Sequence, residues 1–197
     1  MILNVCGQDP SLLNWGVSNG TYDTETKKLT INNILVINPV LSKGKQVRQN
    51  SLDLEAAKQL CEGAMQASKQ AQVIFVEVPV GSQSARSMAG YGVVVGVLGS
   101  LRAMGIPLFE VSPQEVKLAG AGKATATKID MINWAIQTHP EAKWPTYRQK
   151  GKELINTGKA EHQADSVAAI YAGIASNTFQ QMLPMWQTKG IYFADSS

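Results

Sequence analysis

Residues 1–11 decide the fold that this sequence predicts: Met1-Ile-Leu-Asn-Val-Cys-Gly-Gln-Asp-Pro-Ser11. Four apolar side chains lead through Gly7 to one carboxylate, Asp9, and Pro10 and Ser11 then turn the chain. A carboxylate at the end of a buried strand is costly to desolvate unless it is paired or binds a cation. Asp9 is therefore either a residue that only starts the turn or a member of a charged site. The rest of the chain must distinguish these two interpretations.

The composition is that of an ordinary soluble globular protein, with 197 residues, 44% of them hydrophobic, and a formal net charge of +3. This length fits one domain with a proper core. Cys6 and Cys61 both lie in apolar surroundings, which predicts buried free thiols in a reducing compartment. The sequence has neither the pattern of a signal peptide nor an apolar run of membrane-spanning length. We therefore predict a cytoplasmic protein with no membrane partner.

The order of predicted elements is that of a mixed α/β protein with one sheet covered by helices. Three closely spaced strands form an antiparallel meander, and two later strands alternate with helices. The predicted strands are 2–8, 15–22, 29–37, 73–79 and 107–111, and the predicted helices are 52–71, 84–104, 113–118, 128–138 and 161–175. Ser112 is the predicted N-cap of the third helix, with Pro113 in its first turn and Glu115 three residues after the cap. We interpret residues 1–197 as one domain, with a basic excursion at about 140–160 and a less regular tail at about 177–197.

The helix predicted over residues 84–104 is unusually rich in glycine. Each glycine costs a helix roughly 1 kcal/mol relative to alanine. A helix keeps such residues where another backbone approaches closely, either inside the same domain or in a second subunit. The residues alone leave both interpretations open.

Acidic residues recur at positions that could meet Asp9. Glu77 interrupts an apolar strand, and His162 and Asp165 are three residues apart, on one face of the predicted last helix. Each has an ordinary alternative: Glu77 could form a buried ion pair, Asp165 could favour a helix start, and His162 could be a cap or surface residue. Carboxylates with a histidine and no cysteine suit Mg²⁺ or Mn²⁺. Two such ions, roughly 3.5–4 Å apart, catalyse phosphodiester hydrolysis in many nucleases.

Four segments together resemble the RuvC Holliday junction resolvases: residues 7–16 (GQDPSLLNWG), residues 74–79 (IFVEVP), Val116-Lys117 with Lys128 eleven residues after Lys117, and residues 162–169 (HQADSVAA). The resemblance covers residues 1 to about 175 in the order of the family. It implies a ribonuclease H-like fold with a five-stranded mixed sheet, three strands antiparallel and two parallel. It also implies a homodimer, here through helix 84–104, that resolves Holliday junctions or other branched DNA by paired nicking.

The resemblance also implies roles for individual residues. Asp9, Glu77 and Asp165 match acidic ligands of Mg²⁺ or Mn²⁺, two ions per active site, and His162 matches a position held by Asp or His that either binds metal or transfers protons. Lys117 and Lys128 match basic residues that contact the scissile phosphate. We predict phosphate contacts from these two and from other basic residues: Lys43, Lys45, Arg48, Arg86, Arg102 and Lys123.

Two features depart from the family and concern the substrate. The segment after Glu77, residues 79–83 (PVGSQ), lacks the aromatic residue that often stacks at the junction, for which Tyr91 could substitute. The basic excursion at 140–160 has no clear counterpart in shorter members.

Other functions remain alternatives. The first is a nuclease for RNA–DNA hybrids or DNA ends on the same fold, and the second is a junction-binding module without activity. The third, a nucleotide-binding ATPase, is disfavoured because Leu12 and Leu13 make a poor phosphate loop.

Overall fold

The structure, a computed structural model, describes residues 1–42, 44, 47–81 and 83–189, excluding the side chain of Lys189. Over these ranges the chain forms strands and helices in the following order: β1 Ile2–Asp9, β2 Trp15–Asp23, β3 Lys28–Ile37, α1 Gln49–Ser68, β4 Val73–Glu77, α2 Ala85–Ala103, β5 Leu108–Val111, α3 Pro113–Ala119, α4 Lys128–Thr138, β6 Thr146–Gln149, β7 Lys152–Ile155, α5 Thr157–Ala175 and α6 Asn177–Lys189. None of these helices is long and apolar enough to cross a membrane.

The main sheet has five strands in the order β3-β2-β1-β4-β5. Strands β1, β2 and β3 are antiparallel neighbours, whereas β4 runs parallel to both β1 and β5. The predicted mixed sheet of three antiparallel and two parallel strands is confirmed. β1 lies at its centre, so Asp9 ends the central strand.

Helices cover both faces of this sheet. α1 and α2 pack on one face, where Leu60 and Val94 meet Ile74 and Val76 of β4. α5 and α6 cover the other face, and α3 and α4 pack against α5 from outside. β1 is therefore buried between two helical layers, which explains its long apolar run.

Small residues let α5 lie unusually close to the sheet. A Cβ atom on Gly7 of β1 would overlap the backbone oxygen of Ser166, and one on Gly16 of β2 would overlap that of His162. On α5 itself, a Cβ on Gly173 would overlap the ring of Phe75. Larger side chains at these positions would push the helix away. The glycines therefore fix the position of α5 relative to the ends of β1 and β2.

Several helix boundaries follow local capping chemistry. Ser112 and Glu115 form the predicted capping box of α3, with Pro113 in the first turn. Helix α4 begins at Lys128 as predicted, after Thr127 and Asp130 form a second capping box.

The structure corrects several sequence predictions. The helix predicted over 52–71 spans Gln49–Ser68. The last predicted helix begins at Thr157 rather than Glu161, because Asn156 caps it by accepting from the backbone N–H of Lys159. The excursion at 140–160 contains a hairpin, β6–β7. The predicted irregular tail is helical over Asn177–Lys189 despite Pro184, and residues 190–197 lie outside the described part.

Candidate active site

The carboxyl ends of two parallel strands bring Asp9 and Glu77 together. β1 pairs with β4 so that Gln8 lies opposite Val76, and Asp9 and Glu77 are the next residues on each strand. Alternate residues of a strand point to the same face of a sheet. Phe75 points into the core beneath α5, so Glu77 points to the α5 face as well. The two acids that the sequence placed on separate strands are therefore side by side.

Helix α5 adds His162 and Asp165 to this end of the sheet. The His162 ring lies against Asp9, with Nδ1 2.7 Å from Asp9 Oδ2, and their side chains are 20% and 15% exposed. An ionised carboxylate can only accept a hydrogen bond, so Nδ1 is the donor. Because α5 begins at Thr157, His162 and Asp165 lie beyond its first turn. The interpretation of Asp165 as an acid that favours the helix start is therefore wrong.

The three carboxyl groups are partly buried and close enough to repel one another. Burial, reinforced by the charges of Asp9 and Asp165, raises the pKa of Glu77 from 4.5 to about 8. Burial and the charges of Asp9 and Glu161 raise the pKa of Asp165 from 3.8 to about 7. Burial also raises the pKa of Asp9, and the hydrogen bond from His162 opposes this effect. The arrangement is one that a bound cation would relieve.

Glu161 belongs to this cluster and was missed in the sequence. Its carboxylate is 2.6 Å from Nζ of Lys128, and its charge contributes to the raised pKa values of Asp165, Asp9 and His162. The available signal was its spacing, because Glu161 precedes Asp165 by four residues on one helix. The ion pair links the start of α4 to α5.

Of the predicted basic residues that the structure describes, Lys117 and Lys128 lie at the site. The ammonium of Lys117, half-buried on α3, lowers the pKa values of Glu77 and Asp165, although burial of these acids outweighs it. Lys128 is 75% exposed and forms its ion pair with Glu161 at the rim. Both therefore offer positive charge beside the carboxylates.

Other predicted phosphate-binding residues lie outside this cluster. Arg86 forms a bidentate ion pair with Asp53, which joins the first turn of α2 to the second turn of α1. Lys123 pairs with Asp130 at 3.0 Å, and Arg102 pairs with Glu110 at 2.8 Å. Arg48 is exposed just before α1, whereas Lys43 and Lys45 lie outside the described residues. Tyr91 is half-buried on α2.

A buried polar network holds the end of β1 from behind. Gln8 is fully buried; its Nε2 donates to Oγ of Ser68 at 2.8 Å, and its Oε1 accepts from the indole of Trp15 at 3.1 Å. Satisfied buried networks rigidify the core around them. Gln8 therefore fixes the backbone that carries Asp9.

The donor set fits a hard divalent ion in its chemistry. Carboxylate oxygens with one imidazole are the ligands that Mg²⁺ and Mn²⁺ accept. Within residues 1–42, 44, 47–81 and 83–189, no three His, Cys, Asp or Glu side chains are already arranged to hold a metal ion. The acids at the site would therefore have to turn inward to close around an ion.

Solved structures share this fold over nearly the whole chain. The structure resembles Thermus thermophilus RuvC in complex with a Holliday junction substrate, with a TM-score of 0.61 and 16% identity over 92% of this chain and 96% of that one. A second T. thermophilus RuvC structure has a TM-score of 0.59 and 18% identity, over 93% of this chain and 97% of that one. The fowlpox virus resolvase with its substrate Holliday junction DNA has a TM-score of 0.52 and 13% identity, over 92% of this chain and 99% of that one.

These likenesses confirm the fold of RuvC, which is ribonuclease H-like. At such identities they establish the fold and not the activity. No protein-family model and no curated protein matches the sequence.

Proposed function

We propose that the protein is a divalent-metal-dependent endonuclease that resolves four-way or other branched DNA by paired nicking as a homodimer. One observation carries the proposal: Asp9, Glu77, Asp165 and His162 converge at one end of a sheet whose fold is shared with two resolvases bound to Holliday junctions. The ordered sequence motifs of the family support it independently.

In this proposal Asp9, Glu77 and Asp165 hold Mg²⁺ or Mn²⁺, two ions per site. Such ions, when bound, stabilise the charge on the attacking and leaving oxygens of a phosphodiester. Asp9 lies between Glu77 and His162, so we assign it as the ligand that the two ions share. With Nδ1 of His162 engaged by Asp9, Nε2 is the ring atom left to hold an ion or to transfer a proton.

The two lysines at the site complement the acids. A scissile phosphate brought to the carboxylates would meet the ammonium groups of Lys117 and Lys128, which stabilise its developing negative charge. Glu161 holds Lys128 at the rim, so we assign Glu161 a positioning role. The remaining exposed basic residues, Arg48 among them, add salt-dependent contacts to the backbone.

The proposal is tested by nicking of a synthetic four-way junction with and without Mg²⁺ or Mn²⁺. Cleavage of the junction, and not of a matched RNA–DNA hybrid, is expected only with metal. Preference for the hybrid would support the ribonuclease H alternative. No metal-dependent cleavage of either substrate would contradict the proposal.

Helix α2 supplies the surface that we propose for the dimer. Cβ atoms built on Gly92, Gly96 and Gly99 meet nothing within 4 Å in the described part of the chain. Close packing inside the domain therefore does not explain these glycines, whereas a second copy of α2 across a two-fold axis would. Two equivalent sites would also suit two equivalent strands of a junction.

A leucine at Gly96 is expected to convert the dimer to a monomer without unfolding it. The added side chain has open space in one subunit but blocks the approach of a second helix. Light scattering would measure the mass, and nicking of a supercoiled cruciform would distinguish paired from single cuts. The control is Lys58→Leu, which places the same side chain at an exposed position of α1. A Gly96→Leu protein that stays dimeric would contradict this interface.

Metal binding is expected to strengthen as pH rises. The folded pKa values of Glu77 and Asp165, about 8 and 7, exceed the ordinary 4.5 and 3.8. The metal-free fold therefore binds extra protons between these values and loses stability as pH rises through them. A cation competes with those protons. The rise in Tm caused by Mg²⁺ should grow from about pH 5.5 to pH 8.5. A rise in Tm that does not depend on pH would contradict a metal site formed by Glu77 and Asp165.

A further inference from the structure

Strands β6 and β7 form a short ribbon separate from the main sheet. Tyr147 pairs with Leu154, and Gln149 pairs with Lys152. Lys150 and Gly151 form the two-residue turn, with φ of 49° and 77°. Positive φ at both positions is typical of the type I′ turn that favours hairpins. The ribbon is therefore a regular element and not an irregular loop.

The ribbon is anchored at its base and exposed elsewhere. The backbone N–H of Asn156 donates to the carbonyl of Pro145 at 2.7 Å, and Trp144 and Ile155 pack against the core around α3, α4 and α5. The other residues of both strands are exposed. A two-stranded hairpin is only marginally stable in water without a covering surface. Because these residues are exposed, both faces of the ribbon are available to a partner.

The exposed residues of the ribbon suit an anionic partner. Arg148, Lys150 and Lys152 outnumber the only acid of the hairpin, Glu153, whose carboxylate accepts from the Thr146 hydroxyl at 2.6 Å. Lys143 and Lys159 flank the base and are also exposed.

One face of the ribbon combines apolar and basic groups. Because paired residues share a face, Tyr147 and Leu154, which are 45% and 39% exposed, lie on the same side as Lys152. Arg148 lies on the other face, opposite Glu153. An aromatic ring beside the cation of Lys152 suits contact with sugars, bases and phosphates of a nucleic acid.

The ribbon leads directly into the helix that carries the candidate site. Asn156 follows β7 and caps α5, and His162 is six residues further on, roughly 9 Å along the helix axis at 1.5 Å per residue. A substrate bound at the site would therefore extend past the ribbon's base. The width of a two-stranded ribbon fits the major groove of B-DNA.

We propose that the β6–β7 ribbon is a DNA-binding arm that lies along the duplex next to the cleaved phosphate. This inference rests on the proposed function and adds a contact region to it. Duplex DNA is the occupant because the charge of the ribbon is complementary to a phosphate backbone. A protein partner would be an alternative occupant, which the experiment separates.

The test removes the three charges of the ribbon with Arg148→Gln, Lys150→Asn and Lys152→Gln together. Asparagine at position 150 keeps the turn, because it adopts positive φ readily. The matched control, Lys27→Asn with Lys28→Gln and Lys69→Gln, removes three exposed charges at the end of the sheet opposite Asp9. Junction affinity is measured over a series of salt concentrations in metal-free buffer.

The ribbon variant is expected to bind the junction about tenfold or more weakly. The slope of the logarithm of affinity against the logarithm of salt concentration should be smaller in magnitude by up to about 3. Each phosphate that the protein no longer neutralises lowers this slope by roughly 0.9. The control should match the wild type. Lys150→Asn alone should lower the slope by about 1, which keeps the test available if the triple variant does not fold.

The outcomes separate this inference from the proposed function. If the wild type binds no junction, the proposed function fails. If the wild type binds and the ribbon variant equals the control, the ribbon inference alone fails. A change in the mass of the free protein in the ribbon variant would assign the surface to a protein contact and overturn DNA as the occupant.

Discussion

Replacing Glu77 by glutamine is expected to abolish metal-dependent nicking while junction binding stays measurable. Glu77 lies beside Asp9 at the ends of two parallel strands, and the charges of Asp9 and Asp165 act on it. An amide of the same size keeps the packing but supplies no negative charge for a cation. We expect the nicking rate to fall by roughly 10²–10³-fold or more, as when an electrostatic group of an active site is removed.

The same substitution has a second readout in the metal-free protein. Glutamine removes a partly buried carboxyl group whose pKa is about 8. The stability of Glu77→Gln should therefore decline less between about pH 5 and pH 8 than that of the wild type. Loss of nicking together with this flatter profile identifies a charge effect and not misfolding.

Glu110→Gln is the matched control for Glu77→Gln. Glu110 lies on the neighbouring strand β5, but its side chain is 54% exposed and paired with Arg102. Nicking by the control should equal that of the wild type. Nicking by Glu77→Gln at the rate of this control would refute the proposed site.

The strands of the site were predictable because their chemistry is local. Asp9 and Glu77 each interrupt an apolar run, and a carboxylate in such a run requires a partner. We therefore expected that Glu77 could meet Asp9. The parallel pairing of β1 with β4 brings the two acids together.

The ion pairs were not predictable, because their partners come from other elements. Nothing near Arg86 in the sequence indicates that Asp53 of α1 engages its guanidinium. The ion pair between Glu161 and Lys128 was missed for the same reason, since the two residues are thirty-three positions apart. The start of α5 was misplaced because residues 157–159 lack an apolar pattern, and the cap at Asn156 decides the boundary.

Missed elements near the C-terminus had weaker signals. The hairpin turn at Lys150-Gly151 was visible only as one glycine in a basic stretch. Helix α6 contains Pro184 and several polar residues, a pattern that local propensity assigns to a loop. Phe179, fully buried against Phe75 and Phe109, supplies the tertiary contacts that stabilise it.

Replacing Gly16 by alanine is expected to weaken both the fold and the site, because this glycine determines how closely α5 approaches β2. The new Cβ would overlap the backbone carbonyl of His162, which cannot rotate away as a side chain could. Overpacking of this kind costs about 1–3 kcal/mol. For a chain of this length each kcal/mol lowers Tm by roughly 2–4 °C. We therefore expect a fall in Tm of roughly 2–12 °C.

Gly16→Ala should also lower the nicking rate of the molecules that remain folded. Relieving the overlap moves the turn of α5 that carries His162, whose Nδ1 lies 2.7 Å from Asp9. A misplacement of about 1 Å in a catalytic site can cost roughly 10²-fold in rate. We expect a loss of that size at temperatures where the protein is still folded, measured by nicking and thermal melting on the same samples.

Gly158→Ala provides the control, because Gly158 lies on α5, the helix that Gly16 contacts. A Cβ atom at position 158 would meet only Oδ1 of Asn156 at 3.8 Å, which is an ordinary contact. Alanine also favours the helix over glycine by up to about 1 kcal/mol. This variant should melt at or above the temperature of the wild type and keep its rate. If Gly16→Ala behaved in the same way, α5 would tolerate a larger separation from β2. The spacing between His162 and Asp9 would then have to be set by the hydrogen bond between them and not by the glycine beneath the helix.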